Sequence, residues 1–309
     1  MNNTDLEKSI LATICYFDIF DYPLTLMEVW QWLYVDQSPK PNTDLAIILQ
    51  TLKESQYLAK KINFQNGFYF LAGRESIIDI RSNRYKIAQP KFKKILAVTK
   101  ILSYFPFIKM IAISNTLANS NSRPDGDLDL FIITMVNRVW PTRFWVLFFL
   151  AIFNLRPTNT KSANKICTAF FIDESVYNLK NLCLDGQDTH FVFWLRQIFP
   201  IYGLDVYKCF FEANSWASEF LPQVEYVQPL SRKIKNNKSK IKFIAEKISN
   251  LLPVYFYQLI QYWLMPPDLK KMSNLDTRVV INNKILKFHK NDRRQLYNNL
   301  FQENLAKNL

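Results

Sequence analysis

Asp127 and Asp129, separated by one residue, lead into the apolar run Leu128 to Thr134 and are the side chains best suited to chemistry. Successive side chains of a strand alternate between its faces, so the two acids share one face while Leu128, Leu130 and Ile132 can enter a core. Two carboxylates a few ångströms apart repel each other unless a divalent cation neutralises them. Hard oxygen ligands with room left for water and phosphate suit Mg2+. An isolated Asp-x-Asp is usually a solvated acidic turn, so its surroundings decide the reading.

Those surroundings are ordered. Phe107 to Ser114 (FIKMIAIS) reads as an apolar strand, Asn115-Thr116-Leu117-Ala118 breaks it, and Asn119 to Pro124 forms a polar loop before the acids. Upstream, Leu6 to Phe20 has helical apolar spacing, and Thr25 can cap a second helix containing Met27, Val29, Trp30 and Leu33. Pro39, Pro41 and Asn42 mark a loop, and Asp44 to Glu54 supplies a third helix. Tyr57 to Ile62 and Gly67 to Leu71 flank the turn 63–66 as a hairpin. This order predicts a winged helix-turn-helix over residues 1–73. Its presumed recognition helix offers only Lys53 among basic residues, so a structural or protein-contact role is favoured over DNA binding. Arg74 to Phe105 reads as one or two basic helices, carrying Lys91, Lys93 and Lys94, either as a solvated face or as the wall of a phosphate groove.

The succession of strand, small polar turn, acidic loop and Asp-x-Asp strand resembles the nucleotidyltransferase superfamily (DNA polymerase beta-like, with a minimal nucleotidyltransferase core). It is most similar to bacterial proteins that join an N-terminal winged helix, that core and a helical tail. Asn115-Thr116-Leu117-Ala118 stands where the family has Gly-Ser-Leu-Ala, and further similarity lies in 69–74, 200–203, 212–216 and 289–294. The resemblance implies an α+β fold: a winged helix at 1–73, a nucleotidyltransferase-like domain of short mixed sheet and flanking helices at 74–177, and an all-α region at 178–309. It implies that Ser114, Asn115 and Thr116 hold nucleotide phosphates, while Asp127 and Asp129 chelate Mg2+ and act in catalysis. The activity implied is transfer of NMP from an NTP to an acceptor (RNA, protein or small molecule). A third acid on the next strand, Lys165 to Ile172, would activate the acceptor hydroxyl. Cys167 occupies the best-aligned position there, and Asp173 and Glu174 lie at the far end. Asn115 replaces a glycine, a position at which asparagine tolerates left-handed geometry. These departures keep a second reading open, a catalytically degenerate nucleotide-binding regulatory module. A winged-helix DNA-binding regulator is the third.

Composition narrows the partners. With 39 basic against 26 acidic residues the net charge is +13, which favours a nucleotide, RNA or another polyanion, or an anionic membrane surface. The chain's 5 glycines disfavour glycine-rich phosphate loops, and neither a dinucleotide nor a Walker fingerprint occurs. Cys15, Cys167, Cys183 and Cys209 are far apart and read as buried thiols of a reducing cytoplasm. Met1 to Lys8 is polar, which predicts no secretory leader. Phe144 to Leu155 and Leu251 to Met265 are too short to cross a bilayer and read as buried helices rather than interfacial anchors. In the tail, His190 reads as a core histidine and His289 as a solvated one. The run Ser231 to Lys247 reads as a solvated linker or a contact for RNA phosphates or anionic lipid.

Overall fold

A computed structural model describes residues 3–36, 43–158, 161–185, 188–227, 229, 231–234 and 239–309. The loop expected at Pro39, Pro41 and Asn42 lies outside the described residues. The chain opens with helices α1 (Asn3–Asp18), α2 (Leu26–Gln31), α3 (Leu45–Glu54) and the single-turn α4 (Gln56–Ala59), then the hairpin β1 (Ile62–Gln65) and β2 (Phe68–Leu71). Thr25 caps α2 as expected and forms a full capping box: its hydroxyl accepts from the Glu28 amide and the Glu28 carboxylate accepts from the Thr25 amide. The hairpin turns later than the sequence suggests. Asn66 and Gly67 both take positive φ (53° and 83°), the conformation that two-residue hairpin turns require. Tyr57 to Ala59 is consequently helical, its first turn capped by the Ser55 hydroxyl.

One long helix, α5 (Ile77–Leu102), then leads to β3 (Ile108–Ile113), the single-turn α6 (Asn115–Ala118), β4 (Leu128–Thr134), α7 (Val139–Ile152) and β5 (Ile166–Asp173). The remainder contains α8 (Thr189–Gln197), β6 (Phe199–Tyr202), α9 (Leu204–Ala213), α10 (Lys240–Ser249), α11 (Val254–Trp263), α12 (Pro267–Met272), β7 (Val279–Ile281), β8 (Ile285–Phe288) and α13 (Arg294–Asn308). The molecule is α+β, as expected. The region 178–309 is not all-α: it contributes β6, β7 and β8 to a mixed sheet ordered β6-β3-β4-β5-β8-β7. The open flanks of β3 and β5 explain the difference. Each is closed by a short strand from the tail, β6 on β3 and β8 on β5, and strands of three or four residues carry no readable period. Pro200, which cannot donate to a ladder, fits because β6 is an edge strand.

Both faces of this sheet are covered, which is why its central strands read as nearly unbroken apolar runs. Leu128, Leu130 and Ile132 pack with Ile111 and Ile113 against α5 and α7, as expected from alternation. The alternate residues Phe131 and Ile133 pack with Met110, Ala112, Phe170 and Ile172 against Trp194 of α8 and Phe210 of α9. Each such side chain, fully buried, contributes roughly 1.5–3 kcal/mol. A third cluster joins the N-terminal helices to the tail. Tyr16 stacks on Phe193 with centroids 3.7 Å apart, and Phe301 of α13 lies within the same cluster.

Several burial expectations need correction. Cys15 is buried, but Cys167 and Cys183 are partly exposed and Cys209 is exposed. Both apolar segments are only half covered: Phe148, Ile152 and Phe153 protrude around the end of α7, and Leu251, Tyr255 and Trp263 around α11. The cause is position, since these helices form an outer layer covered by the sheet and by one another on their inner sides. His289 is not freely solvated, its ring lying edge-on to Phe170 at 5.8 Å. Among the described residues, no helix is long and apolar enough to cross a membrane.

Candidate metal and nucleotide site

Three elements converge at one end of the sheet. β3 runs into α6, the loop after α6 delivers Asp127 to the start of β4, and β5 runs parallel beside β4 with Cys167 registered against Asp129. Ligand atoms of Asp127, Asp129 and Cys167 all lie within 4.8 Å of one another, and each residue is partly exposed. The Asp-x-Asp alternation therefore brings the two acids together as the sequence predicts. Cys167 is the residue of β5 that this register sets beside Asp129.

The acidic loop is held by a lysine that the sequence shows only as one of a basic series. Lys91 of α5 is buried, and its ammonium donates to the carbonyls of Arg123 at 2.5 Å and Gly126 at 2.7 Å. The loop passes close at Gly126: a Cβ there would stand 3.3 Å from the Arg123 carbonyl oxygen and 3.5 Å from Lys91 Nζ. The Gly126 carbonyl also accepts from the Asn164 amide, and Lys94 Nζ donates to the Asn164 carbonyl at 2.5 Å. One turn of α5 thus fastens both loops that flank the acids.

Asn115 has φ 57°, the left-handed backbone that asparagine tolerates in place of glycine. Its side chain is turned to use. The Asn115 side-chain oxygen accepts from Trp194 Nε1 at 3.0 Å, and its polar side chain counters the rise of the Asp129 carboxyl. Ser114 is buried, and its amide donates to the Asp129 carbonyl at 3.1 Å. Thr116 is exposed on α6, and its carbonyl accepts from the Asn121 amide. Trp194 carries no sequence signal beyond core periodicity; its contact with Asn115 appears only once α8 packs across the sheet.

Electrostatics at the site are unfavourable to two anions. Burial pushes the Asp129 carboxyl up to about 7, with repulsion from Asp127 adding to it and hydrogen bonds from Asn115 and the Cys167 thiol opposing it. Burial also raises Asp127, opposed by its own backbone hydrogen bond and by Lys91. The Cys167 thiol is pushed well above its ordinary range, first by burial and then by the two neighbouring carboxylates. Without a cation beside it, the protonated thiol is the favoured form.

The other acids of β5 are elsewhere. Asp173 is buried at the opposite end of the strand, accepting from the Asn137 amide at 2.8 Å and from the Ser175 amide and hydroxyl at 2.9 and 2.6 Å. Glu174 pairs with Lys109 at 3.7 Å. Neither supplies a third carboxylate near Asp129. A cavity of about 330 Å3 opens past the C-terminal end of α6, lined by Tyr22, Trp32, Arg81, Tyr85, Asn119 and Ser120, and neither Asp127 nor Asp129 reaches it.

His190 is a core histidine, as its spacing predicts. Its Nδ1 lies 3.0 Å from the Tyr16 hydroxyl, and burial lowers it to about 4. Comparison with protein-family models, curated proteins and solved structures returned no match.

Proposed function

We propose that this chain is a Mg2+-dependent nucleotidyltransferase-like protein that takes an NTP and transfers its NMP to an acceptor hydroxyl on RNA, a protein or a small molecule. The observation that carries the reading is the partly open pair of carboxylates, Asp127 and Asp129, both raised by burial. The donor set fits a hard divalent cation: two carboxylates offer oxygen, and the neighbouring thiol is held protonated. When bound, Mg2+ neutralises the acids and the phosphate oxygens and orients the nucleotide. The chain's own residues do the positioning. Lys91 fixes the loop that presents Asp127, and Trp194 on α8 holds the side chain of Asn115. Ser114, Asn115 and Thr116 are the residues proposed to receive the phosphates.

A second reading is favoured by Cys167. With a protonated thiol registered against Asp129 where a third carboxylate would act, the acceptor hydroxyl lacks a base. That arrangement suits a module that binds nucleotide without turnover. The N-terminal helices and hairpin are proposed as a winged helix that contacts protein rather than DNA, since the outward side of α3 carries Ile47, Gln50 and Glu54 beside Lys53.

The test is incubation of the purified chain with each α-labelled NTP and Mg2+, offering total RNA and the protein itself as acceptors, beside an Asp127→Ala/Asp129→Ala variant. Label transfer that disappears in the variant establishes the enzyme. Nucleotide binding without transfer, dependent on both acids, establishes the second reading. Transfer that survives in the variant excludes this site.

A further inference from the structure

Helices α7, α10 and α11 form the outer layer over one face of the sheet. They are joined sideways: Trp145 Nε1 donates to the Ser249 hydroxyl at 3.1 Å, and Phe144 meets Tyr257 edge-on at 5.2 Å. Their inner sides are spent on these contacts, with Tyr257 and Gln261 buried one turn apart. Their outer sides are apolar and uncovered. α10 presents Ile241, Ile244 and Ile248 at helical spacing, and α11 presents Tyr255, Leu259 and Tyr262. Leu251, between the helices, is 80% exposed, and Trp263, at the end of α11, is 78% exposed. Isolated surface leucines need no explanation, but a continuous face of this kind marks an interaction site.

Charge identifies what covers it. From Lys240 to Pro267 the one acid is Glu246, and its carboxylate is turned inward to accept from the Phe107 amide at 3.1 Å. Lys240 and Lys247 are exposed on α10, with Lys247 Nζ 4.7 Å from the Phe243 ring centroid. Lys270 Nζ lies 5.3 Å from the ring of Tyr262, and Lys271 is exposed beside it. The acid at this rim, Asp268, is paired with Lys290 at 2.7 Å. The face therefore combines exposed aliphatic residues, Trp and Tyr at its edges, and lysines, while its two acids, Glu246 and Asp268, are already engaged. A second copy of the same face would set lysine against lysine. An anionic lipid surface accepts all three features at once: apolar side chains enter the headgroup boundary, the aromatic rings rest at that level, and lysines meet acidic headgroups.

We infer that the layer formed by α7, α10 and α11 docks on the surface of an anionic lipid bilayer, lying on it rather than crossing it. This is independent of the nucleotide site, which opens at the end of the sheet. The test is sedimentation of the full chain with vesicles of phosphatidylcholine alone and of phosphatidylcholine mixed with phosphatidylserine. Leu251→Glu/Trp263→Glu and Lys240→Glu/Lys247→Glu variants are run in parallel. All four positions are exposed, so both variants retain the fold, which circular dichroism checks. The expected result is pelleting of the unmodified chain with the anionic vesicles, roughly tenfold weaker binding to neutral ones, and a similar loss in each variant. Absence of pelleting overturns the inference, as does equal pelleting of the Leu251→Glu/Trp263→Glu variant. A dimer in gel filtration that this variant converts to a monomer, without vesicle binding, assigns the face to a second copy and overturns it as well.

Discussion

The surroundings of Asp129 work against its charge, and that has a measurable sign. Its carboxyl is raised from an ordinary value of 3.8 to about 7 in the folded chain. The folded state thus binds this proton more tightly than the unfolded one, so the associated stability is complete below 3.8 and is lost as pH rises through about 7. The two histidines act oppositely. Burial depresses His190 to about 4 and His289 to about 3 from 6.5, so their stability is present above 6.5 and lost as pH falls. The two effects overlap, and the prediction is therefore a difference: without metal, the unfolding free energy of the Asp129→Asn variant relative to the unmodified chain should grow as pH rises from 4 to 7, measured by urea titration. A constant difference would contradict the assignment of the raised carboxyl to Asp129. Cys167→Asp restores a third carboxylate and adds like charge to an already repelling pair. It should lower stability without metal by on the order of 1–2 kcal/mol and strengthen the rise in Tm on adding Mg2+, both read by thermal unfolding. At this scale the sequence was informative where spacing carries the information. One residue between two acids on a strand dictates their common face, and the position of Cys167 follows from aligning one strand with the next. Lys91 was indistinct from its neighbours because its role depends on carbonyls of a loop 32 and 35 residues away. The solvated reading of His289 failed for a related reason, since a charged local stretch does not reveal that β8 carries it to Phe170.

Gly203 shows how one backbone position secures a junction between elements. It sits between β6 and α9 with φ 76°, and a Cβ there would lie 2.0 Å from the Lys109 carbonyl oxygen on β3. The edge strand can join the sheet because this residue has no side chain. Gly203→Ala should cost roughly 3–4 kcal/mol by combining a left-handed backbone with a clash against main chain. Gly67→Ala, with φ 83° but nothing within 4 Å, carries only the backbone cost of about 1 kcal/mol. Chemical denaturation of the two variants distinguishes these origins, and equal losses would contradict the close approach at β3. Long elements were readable: α1, α5, β4 and β5 follow from helical spacing or continuous apolar runs. The tail strands were not. FPIY, VVI and ILKF are too short to show alternation, and they become strands because β3 and β5 offer open edges. The hairpin turn was displaced because Asn66-Gly67 accepts positive φ at both residues, a stronger local signal than the polar run preceding it.

Across the whole molecule the last helix returns to the first, so the ends of the chain share a core. A buried ionic group anchors that return. Arg294 at the start of α13 pairs with Asp188 at 3.0 Å and Asp292 at 2.9 Å, and Asp292 also meets Lys287 at 3.1 Å. All four side chains are nearly inaccessible, so removing one partner leaves charge stranded. Arg294→Ala should cost about 3–5 kcal/mol, and hydrogen exchange should show loss of protection spreading from α13 to α1; protection unchanged in α1 would separate the two ends. No sequence pattern pairs residue 188 with residue 294, because that proximity depends on the closure of the entire chain. The most direct measurement is isothermal titration calorimetry of each NTP into the full chain, with and without Mg2+, beside the isosteric Asp127→Asn/Asp129→Asn variant. The account predicts binding of at least one NTP that needs Mg2+ and weakens by tenfold or more in the variant, about 1.4 kcal/mol. Equal binding by the variant, or no NTP bound at all, would contradict it.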